Sequence, residues 1–175
     1  IKVFPGTSIH GSLPCTVWSN WQRICQRNLG PKYKKDLRRR RRKEVKKLES
    51  FCRCADICLE LGGHVSFEWP ADCLGWLQLA LKKLIAQWNL YSVRVDGCAC
   101  GMTDKFGIPM LKKWTFVTSN PRQAESLAAL RCTHGREFRH SEISGGKKTK
   151  STEPIRPNFA IQCCPVCTVT GSMCL

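Results

Sequence analysis

The sequence predicts an α/β domain in which helices cover both faces of one β-sheet. Short β-type segments occupy residues 65–68, 92–96 and 114–118, and helical periodicity fills the stretch between the first two of them. Strands that alternate with helices in this way favour a three-layer sheet. The last two strands are joined without a helix, which predicts that they pair antiparallel. A hydrophobic content of 42% over 175 residues supplies the core of one domain.

The N-terminal segment predicts a strand that leads into a bend at Pro14-Cys15. Apolar residues surround a Pro-Gly turn signal within residues 1–9. The proline fixes its own φ and keeps Leu13 extended, so the thiol of Cys15 is held on a defined bend and is available for chemistry. The alternative is that Cys15 is one small buried hydrophobic residue in a cysteine-rich chain.

Two helices are predicted next, and the second carries a run of cations. A helix over residues 18–26 is predicted from apolar residues at helical spacing, and it stops before Gly30-Pro31. A longer amphipathic helix is predicted over residues 35–61, where Gly62-Gly63 ends it. Its first half contains six consecutive cations: Arg38, Arg39, Arg40, Arg41, Arg42 and Lys43. Such a run either forms a solvated helix face, or contacts phosphates or serves nuclear import.

The central segments place a carboxylate at the end of a predicted strand. Apolar and polar residues alternate over residues 65–68, and Trp69-Pro70 terminates the strand, so Glu68 lies at its C-terminal end. An apolar stripe of mostly leucines predicts one helix over residues 71–88. A further short helix is predicted over residues 121–130, after an Asn-Pro start signal.

Charge and cysteine content restrict the partners and the compartment. A net charge of +16 on 175 residues indicates a polyanionic partner, and nucleic acid is the simplest one. Thirteen cysteines at scattered spacings, without a secretion signal, indicate reduced thiols in a nuclear or cytoplasmic protein that is not secreted. The sequence has no apolar run of about 18 residues, so we expect no membrane partner. Because the first residue is Ile1, we expect that the chain lacks an N-terminal part.

Thiols and imidazoles near the last predicted strand and helix are candidate zinc ligands. They are Cys98, Cys100, Cys132, His134 and His140, and zinc would take any four of them. The Cys-x-Cys and Cys-x-His spacings differ from the usual finger pattern, because one intervening residue makes a cramped chelate. The alternative is a set of buried thiols and surface histidines. The domain is predicted over residues 1–145, and a basic, cysteine-containing tail, for which we expect disorder, over residues 146–175.

Several motifs follow one another along the chain in an order that resembles a known family. Pro14-Cys15 follows one strand, Phe67-Glu68-Trp69-Pro70 ends the next, and Lys112-Lys113 precedes the last. Over residues 9–120 this series resembles the catalytic half of the cytosine-C5 DNA methyltransferases. The resemblance implies a partial Rossmann-like methyltransferase sheet with an antiparallel last strand and flanking helices.

The resemblance also implies roles for individual residues. Cys15 stands where the family's thiolate attacks C6 of cytosine, and Glu68 stands where a carboxylate contacts the ring at N3 and the exocyclic amine. For Lys112 and Lys113 the resemblance implies only a basic surface that faces nucleic acid. The family binds its methyl donor, S-adenosylmethionine, through a glycine-rich loop that precedes the Pro-Cys motif. This chain contains no such loop, and Trp69 replaces the family's Asn.

We therefore expect a nucleic-acid-associated remnant of a methyltransferase-like domain that does not methylate on its own. S-adenosylmethionine would be bound only by a complete domain, and zinc is the cofactor that this chain's own residues admit. Two alternatives stay open at this point. One is a basic nucleic-acid-binding module stabilised by zinc, and the other is a non-functional fragment left by a mobile element or a gene model.

Overall fold

The structure is a computed structural model, and it describes residues 4–141. These residues form four α-helices and a four-stranded mixed sheet. The elements are β1 (Ile9–Gly11), α1 (Trp21–Asn28), α2 (Gly30–Glu60), β2 (Val65–Pro70), α3 (Leu79–Gln87), β3 (Tyr91–Asp96), β4 (Lys113–Thr118) and α4 (Pro121–Ala128), with 3₁₀ turns at Thr16–Trp18, Leu74–Leu77 and Gly97–Cys100. The predicted α/β class is confirmed, and the predicted tail over residues 146–175 lies outside the described residues.

The sheet has the strand order β1-β2-β4-β3. β1 and β2 are parallel, with Ile9 opposite Val65 and Gly11 opposite Phe67. β4 lies between β2 and β3 and runs antiparallel to both of them. The prediction that the last strand is antiparallel is confirmed, because β3 and β4 are joined without a crossover helix.

One face of the sheet is covered by α2 and α3, and we call it the α2 face. Val65, Phe67 and Trp69 of β2 point to this face and belong to one buried apolar cluster with residues of both helices. Phe67 lies in the middle of this cluster, with its ring centroid 5.0 Å from that of Phe51 and 4.7 Å from that of Trp69. The main core of the domain is therefore the layer between these two helices and the sheet.

The opposite face of the sheet, which we call the α4 face, carries a smaller cluster. Val95 of β3 and Trp114 and Phe116 of β4 pack there with Leu127 of α4. Helices thus cover both sides of the sheet, as the alternation of strands and helices predicts. α4 begins at a regular cap, in which the Asn120 side chain accepts hydrogen bonds from the first free amides of the helix.

The first two helices differ from the prediction at their boundaries. α1 begins only at Trp21, because Thr16–Trp18 forms a 3₁₀ turn instead. α2 begins at Gly30, earlier than the predicted residue 35. Gly30 has a φ of +70°, which bends the chain, and Pro31 lacks only an amide that the first helical turn does not use. The Gly-Pro pair is therefore a bend between two consecutive helices.

The prediction of one helix over residues 71–88 is wrong for the first half of that range. Leu74–Leu77 forms a 3₁₀ turn, and α3 begins only after it. The amide of Gly75 donates to the Cys73 thiol, and a Cβ at Gly75 would collide with the ring of Trp69. This contact with the aromatic core, which the sequence period does not reveal, decides the local geometry.

Candidate metal centre and basic surface

Cys98 lies in the 3₁₀ turn that directly follows β3. The amide of Gly97, at the start of the turn, donates to the Lys112 carbonyl at 2.7 Å. A Cβ at Gly97 would lie 2.9 Å from the Met102 sulfur and 3.1 Å from two carbonyl oxygens, so this close approach favours glycine. Gly101 ends the turn with a φ of +74°. The turn therefore holds the half-buried Cys98 at the end of the sheet.

Asp96, the last residue of β3, attaches Cys132 to the same end of the sheet. Its Oδ2 accepts hydrogen bonds from the Cys132 amide and from Nε of Arg131, each at 3.0 Å. Its amide donates to the Leu130 carbonyl at 2.9 Å. Burial would raise the pKa of Asp96, but these two donors outweigh it and hold the pKa below its usual value. The segment that follows α4 is thus attached to β3 by a charged, hydrogen-bonded carboxylate.

The two histidines lie further along this segment and share one aromatic neighbour. Phe138 stacks on the ring of His134, with centroids 4.2 Å apart and planes inclined by 19°. The same phenyl ring meets the ring of His140 at 5.0 Å and 75°. Ser141, the next residue, donates its hydroxyl to the Asp104 carboxylate at 2.7 Å. Both imidazoles are therefore oriented by contacts that do not involve a metal.

These supports bring four potential ligand atoms together. The ligand atoms of Cys98, Cys132, His134 and His140 all lie within 4.8 Å of one another. Sγ of Cys132 is 3.3 Å from Nδ1 of His134 and 3.3 Å from Nε2 of His140, and these nitrogens are 3.2 Å apart. Burial and the neighbouring Cys132 thiol raise the pKa of Cys98 to about 11. Two thiols and two imidazoles at such distances can hold a metal ion, so four of the five predicted ligands converge.

Cys100, the fifth predicted ligand, lies outside this group. Its thiol donates to the Asp96 carbonyl at 3.3 Å, and its side chain packs against the apolar cluster of the α4 face. A 3₁₀ turn has about three residues per turn, so residues two apart, such as Cys98 and Cys100, project in different directions. Cys100 is therefore the one of the five candidates that lies outside the group of four. The closely spaced Cys132 and His134 both take part, because the segment that carries them is irregular.

The six consecutive cations predicted on α2 make different contacts with the rest of the protein. Arg41 is half-buried, with its guanidinium carbon 5.3 Å from the ring centroid of Trp18. Its Nε donates to the backbone carbonyl of Val17 at 3.0 Å. Arg39 and Arg40 both bind the carboxylate of Asp36, at 3.0 Å and 2.8 Å. The side chains of the run therefore differ in how much of their charge solvent can reach.

The exposed cations of α2 line up on the side of the helix opposite its buried residues Leu37 and Leu48. They follow one another at spacings of three and four residues, which keeps side chains on one face of a helix. We call this set the α2 stripe: Lys32, Lys35, Arg39, Arg42 and Lys46. Arg38 and Lys43 are also exposed and lie beside the stripe.

The two lysines predicted from the resemblance lie at the entry to β4 and not on α2. Nζ of Lys112 is 4.8 Å from the ring centroid of Trp114, which faces α4. Lys113 is the first residue of β4 and is exposed. The structure thus places this basic pair in the sheet layer, separate from the α2 stripe.

Cys15 and Glu68 lie against different faces of the sheet. Cys15 is half-buried and packs against the apolar cluster of the α2 face. The neighbours of Glu68 on β2 point to the α2 face, so the Glu68 side chain points to the α4 face. Its Oε1 accepts a hydrogen bond from the Ser12 hydroxyl at 2.8 Å, and within residues 4–141 its buried Oε2 has no hydrogen-bond partner. Burial raises the pKa of Glu68, against the opposing effects of Ser12 and a nearby lysine.

Comparison of the chain with protein-family models, with curated proteins and with solved structures finds no match. In the part of the chain that the structure describes, every helix is too short or too polar to cross a membrane. The nine cysteines of that part form no disulfide with one another. Interpretation of the site therefore depends on its own geometry and charge.

Sequence reasoning missed two kinds of residue. Asp96 and Phe138 support the Cys/His group without belonging to it, and no local pattern marks them, because they act on residues that other segments carry. Lys32, Lys35 and Lys46 extend the basic surface beyond the consecutive run. Their three-and-four spacing is a signal that the sequence does contain.

Proposed function

We propose that this chain binds nucleic acid through the α2 stripe and that the α/β domain is the scaffold that holds the stripe in place. The observation that carries the proposal is the alignment of five exposed cations on one side of a 31-residue helix. From Lys32 to Lys46 the stripe extends over about 21 Å at the helical rise of about 1.5 Å per residue. A polyanion of regular charge spacing matches such a linear array of cations.

The charge balance of this helix favours a polyanionic partner over a protein partner of mixed charge. Residues 30–47 contain eleven lysines and arginines and only two carboxylates, Asp36 and Glu44. Both carboxylates already bind cations of the same helix, Asp36 binding Arg39 and Arg40, and Glu44 binding Lys47 at 2.8 Å. The remaining cations repel one another, and phosphates would remove that repulsion while releasing their own counterions.

The helix is also held rigidly enough to present the stripe. Leu37 and Leu48 are each only 1% exposed, and they attach the basic half of α2 to the core. Arg41 reinforces this attachment through its contact with Trp18. Because lysine and arginine contacts to phosphates position a protein without reading bases, we expect binding with little sequence preference. Such a partner agrees with the nuclear or cytoplasmic location expected from the sequence.

The test removes three of the five cations of the stripe without disturbing the contacts that hold the helix. In a variant with Lys35→Gln, Arg42→Gln and Lys46→Gln, three outward charges are lost while Arg40 and Arg41 stay. Affinity for a short fluorescent DNA duplex is measured from about 50 to 200 mM salt, the range over which phosphate contacts weaken strongly. We expect weaker binding, and a slope of log K against log salt that is smaller by about 2.7, since each phosphate contact contributes about 0.9.

The matched control removes three exposed cations elsewhere, through Lys82→Gln, Lys83→Gln and Arg122→Gln. Its net charge equals that of the stripe variant, so it separates a localised site from general attraction. We expect the control to keep nearly the slope of the parent chain. Equal losses in both variants, or a parent chain that shows no salt-dependent binding, would refute the proposal.

A second candidate function is thiol chemistry on a pyrimidine base by Cys15, in the manner of the family that the motifs resemble. Because Glu68 points to the other face of the sheet, this candidate rests on the Cys15 thiol and not on a carboxylate at the same ring. Two observations favour it: β4 is antiparallel, as that resemblance implies, and Ser12 links the segment that carries Cys15 to the Glu68 carboxylate. The test incubates the chain and its Cys15→Ser variant with a 5-fluorocytosine oligonucleotide and S-adenosylmethionine. A denaturant-resistant adduct formed by the parent alone supports this candidate, and the absence of any adduct refutes it.

A further inference from the structure

We propose that Cys98, Cys132, His134 and His140 bind one Zn²⁺ ion with tetrahedral geometry, and that this centre fastens residues 130–141 to the end of the sheet. The proposal is independent of nucleic-acid binding, because α2 contributes none of the four residues. It rests on the distances within the group, on its hydrogen-bonding capacity, on its ligand types and on the structure of the segment that it would hold.

The distances are those that a tetrahedral zinc ion imposes on its ligands. With Zn–S of about 2.3 Å and Zn–N of about 2.0 Å, a sulfur and a nitrogen lie about 3.5 Å apart and two nitrogens about 3.3 Å apart. The observed values are 3.3 Å for both sulfur–nitrogen pairs of Cys132 and 3.2 Å for the two histidine nitrogens. Sγ of Cys98, the fourth ligand atom, lies within 4.8 Å of each of the others. Small shifts would therefore complete the tetrahedron.

Hydrogen bonding between neutral groups does not account for this arrangement. Cys132 Sγ, His134 Nδ1 and His140 Nε2 approach one another in all three pairings. A neutral ring nitrogen is either a donor along one direction or an acceptor, and never both, so three such contacts are not satisfied together by directed hydrogen bonds. A cation at the centre of the group satisfies all of the lone pairs at once.

The chemical types of the four ligands indicate which metal binds and that its role is structural. Two thiolates and two imidazoles in a tetrahedral arrangement favour zinc, whereas calcium and magnesium prefer oxygen ligands. Four protein ligands leave no open position for water or substrate, and closed sites of this kind are structural. Phe138 would shield the centre on one side, since its ring stacks on His134 and meets the edge of His140.

The segment that carries three of the ligands has little else to hold it. Residues 133–139 are all exposed, and residues 130–141 contain no helix or strand. At one end of the segment, the carboxylate of Asp96 accepts from Arg131 and from the amide of Cys132, and the Asp96 amide donates to the Leu130 carbonyl. At the other end, Ser141 donates to Asp104 and to the Pro109 carbonyl, which lie in the loop between β3 and β4. Because a metal that binds only the folded arrangement stabilises it directly, zinc would supply here what apolar burial does not.

The experiment uses the full chain, purified under reducing conditions without chelator, and measures metal content by mass spectrometry and zinc affinity by competition with a chromophoric chelator. The test variant carries Cys132→Ser and His140→Asn, and the matched control carries Cys54→Ser and His64→Asn, which lie outside the group. The tail contains a Cys-x-x-Cys pair at Cys164 and Cys167, and a further variant, Cys164→Ser with Cys167→Ser, controls for chelation by this pair.

We expect one zinc per chain in the parent, the control and the tail variant, with Co²⁺ substitution giving the visible absorption bands of a tetrahedral thiolate site. In the test variant we expect zinc affinity to fall by more than about 100-fold, beyond the loss that removal of an outer-shell partner causes. Zinc that stays bound to the test variant, or a parent that binds none, would refute the proposal.

A measurement on the parent chain covers the case in which the test variant fails to fold. Hydrogen exchange is compared with and without chelator, and we expect faster exchange over residues 130–141 while the buried half of α2 keeps its protection. Equal protection of residues 130–141 in both conditions would show that zinc does not hold this segment. A disulfide between Cys98 and Cys132 in the chain purified under reducing conditions would likewise contradict the proposal.

Discussion

The two faces of the sheet are stabilised in different ways. On the α2 face, fifteen buried residues from two helices, the strands and the first 3₁₀ turn form one apolar cluster. On the α4 face the corresponding cluster has four residues, and in the segment that follows α4 residues 133–139 are all exposed. The same sheet therefore carries a large apolar core on one side and a small core with a polar attachment on the other.

Apolar burial and directed bonds make different demands on the chain. Apolar burial is non-directional and needs only enough surface, which a 31-residue helix packed with α3 provides. The eight-residue α4 covers much less of its face, and the chain beyond it has few apolar residues to bury. Directed bonds from Asp96, Ser141 and the Cys/His group replace burial there. The two regions should accordingly respond to different perturbations.

The largest expected effect is on the α2 face. Phe67→Ala removes the ring at the centre of the aromatic group, and we expect a loss of about 3–5 kcal/mol in the free energy of unfolding, because a cavity adds to the lost burial. Urea denaturation followed by circular dichroism measures it, with and without chelator. The control Phe106→Ala changes a side chain that is 75% exposed and should cost under about 0.5 kcal/mol.

An effect of Phe67→Ala that depended strongly on chelator would show that the two faces are not stabilised independently. A loss below about 1 kcal/mol would show that the core collapses around the missing ring.

An intermediate effect is expected at Glu68, the buried carboxylate on the α4 face. Burial raises its pKa, although the Ser12 hydroxyl and Lys112 oppose the shift, so the folded state holds the proton more tightly than the unfolded state. The ordinary pKa of a glutamate is 4.5. As pH rises from that value through the pKa of Glu68 in the folded state, the contribution of Glu68 to stability therefore falls, by at most about 1.4 kcal/mol per pH unit.

The measurement for Glu68 compares urea denaturation of the parent and of Glu68→Gln between pH 4 and pH 7 (about the range in which carboxylates titrate). We expect the parent to gain stability relative to the variant as pH falls. Glu125→Gln, at an exposed carboxylate of α4, is the control for general charge effects. A relative gain for the parent as pH rises would contradict the expected sign.

The smallest expected effect is at Phe138, the aromatic neighbour of both histidines. Phe138→Ala removes a stacked and an edge-on ring contact. Because Phe138 is exposed, we expect the loss to equal about one aromatic contact, about 0.5–1.5 kcal/mol, so zinc affinity should fall by about 2- to 12-fold. Competition with a chromophoric chelator measures the affinity, and urea denaturation of the chelated protein should stay close to that of the parent. An unchanged zinc affinity would show that the ring does not orient the imidazoles.

Local sequence patterns were enough to predict the α/β class and much of the second half of the fold. The strands predicted over residues 92–96 and 114–118 are observed as Tyr91–Asp96 and Lys113–Thr118, and their antiparallel pairing is confirmed. These elements were predictable because alternation and the short connection are local properties of the chain. The predicted position of α4 is confirmed for the same reason, since its cap lies next to it in sequence.

The way in which side chains from distant segments combine depends on the packing of the folded chain and could not be predicted from local patterns. Four of the five predicted metal ligands converge, and Cys100 turns away, because the 3₁₀ turn and the carboxylate of Asp96 set the directions of the thiols. The six consecutive cations look alike in sequence, yet Arg41 packs on Trp18 while Arg42 faces solvent. Spacing along a chain predicts which residues share a face of one element. It does not predict which residues of other elements meet them there, because that depends on packing between segments tens of residues apart.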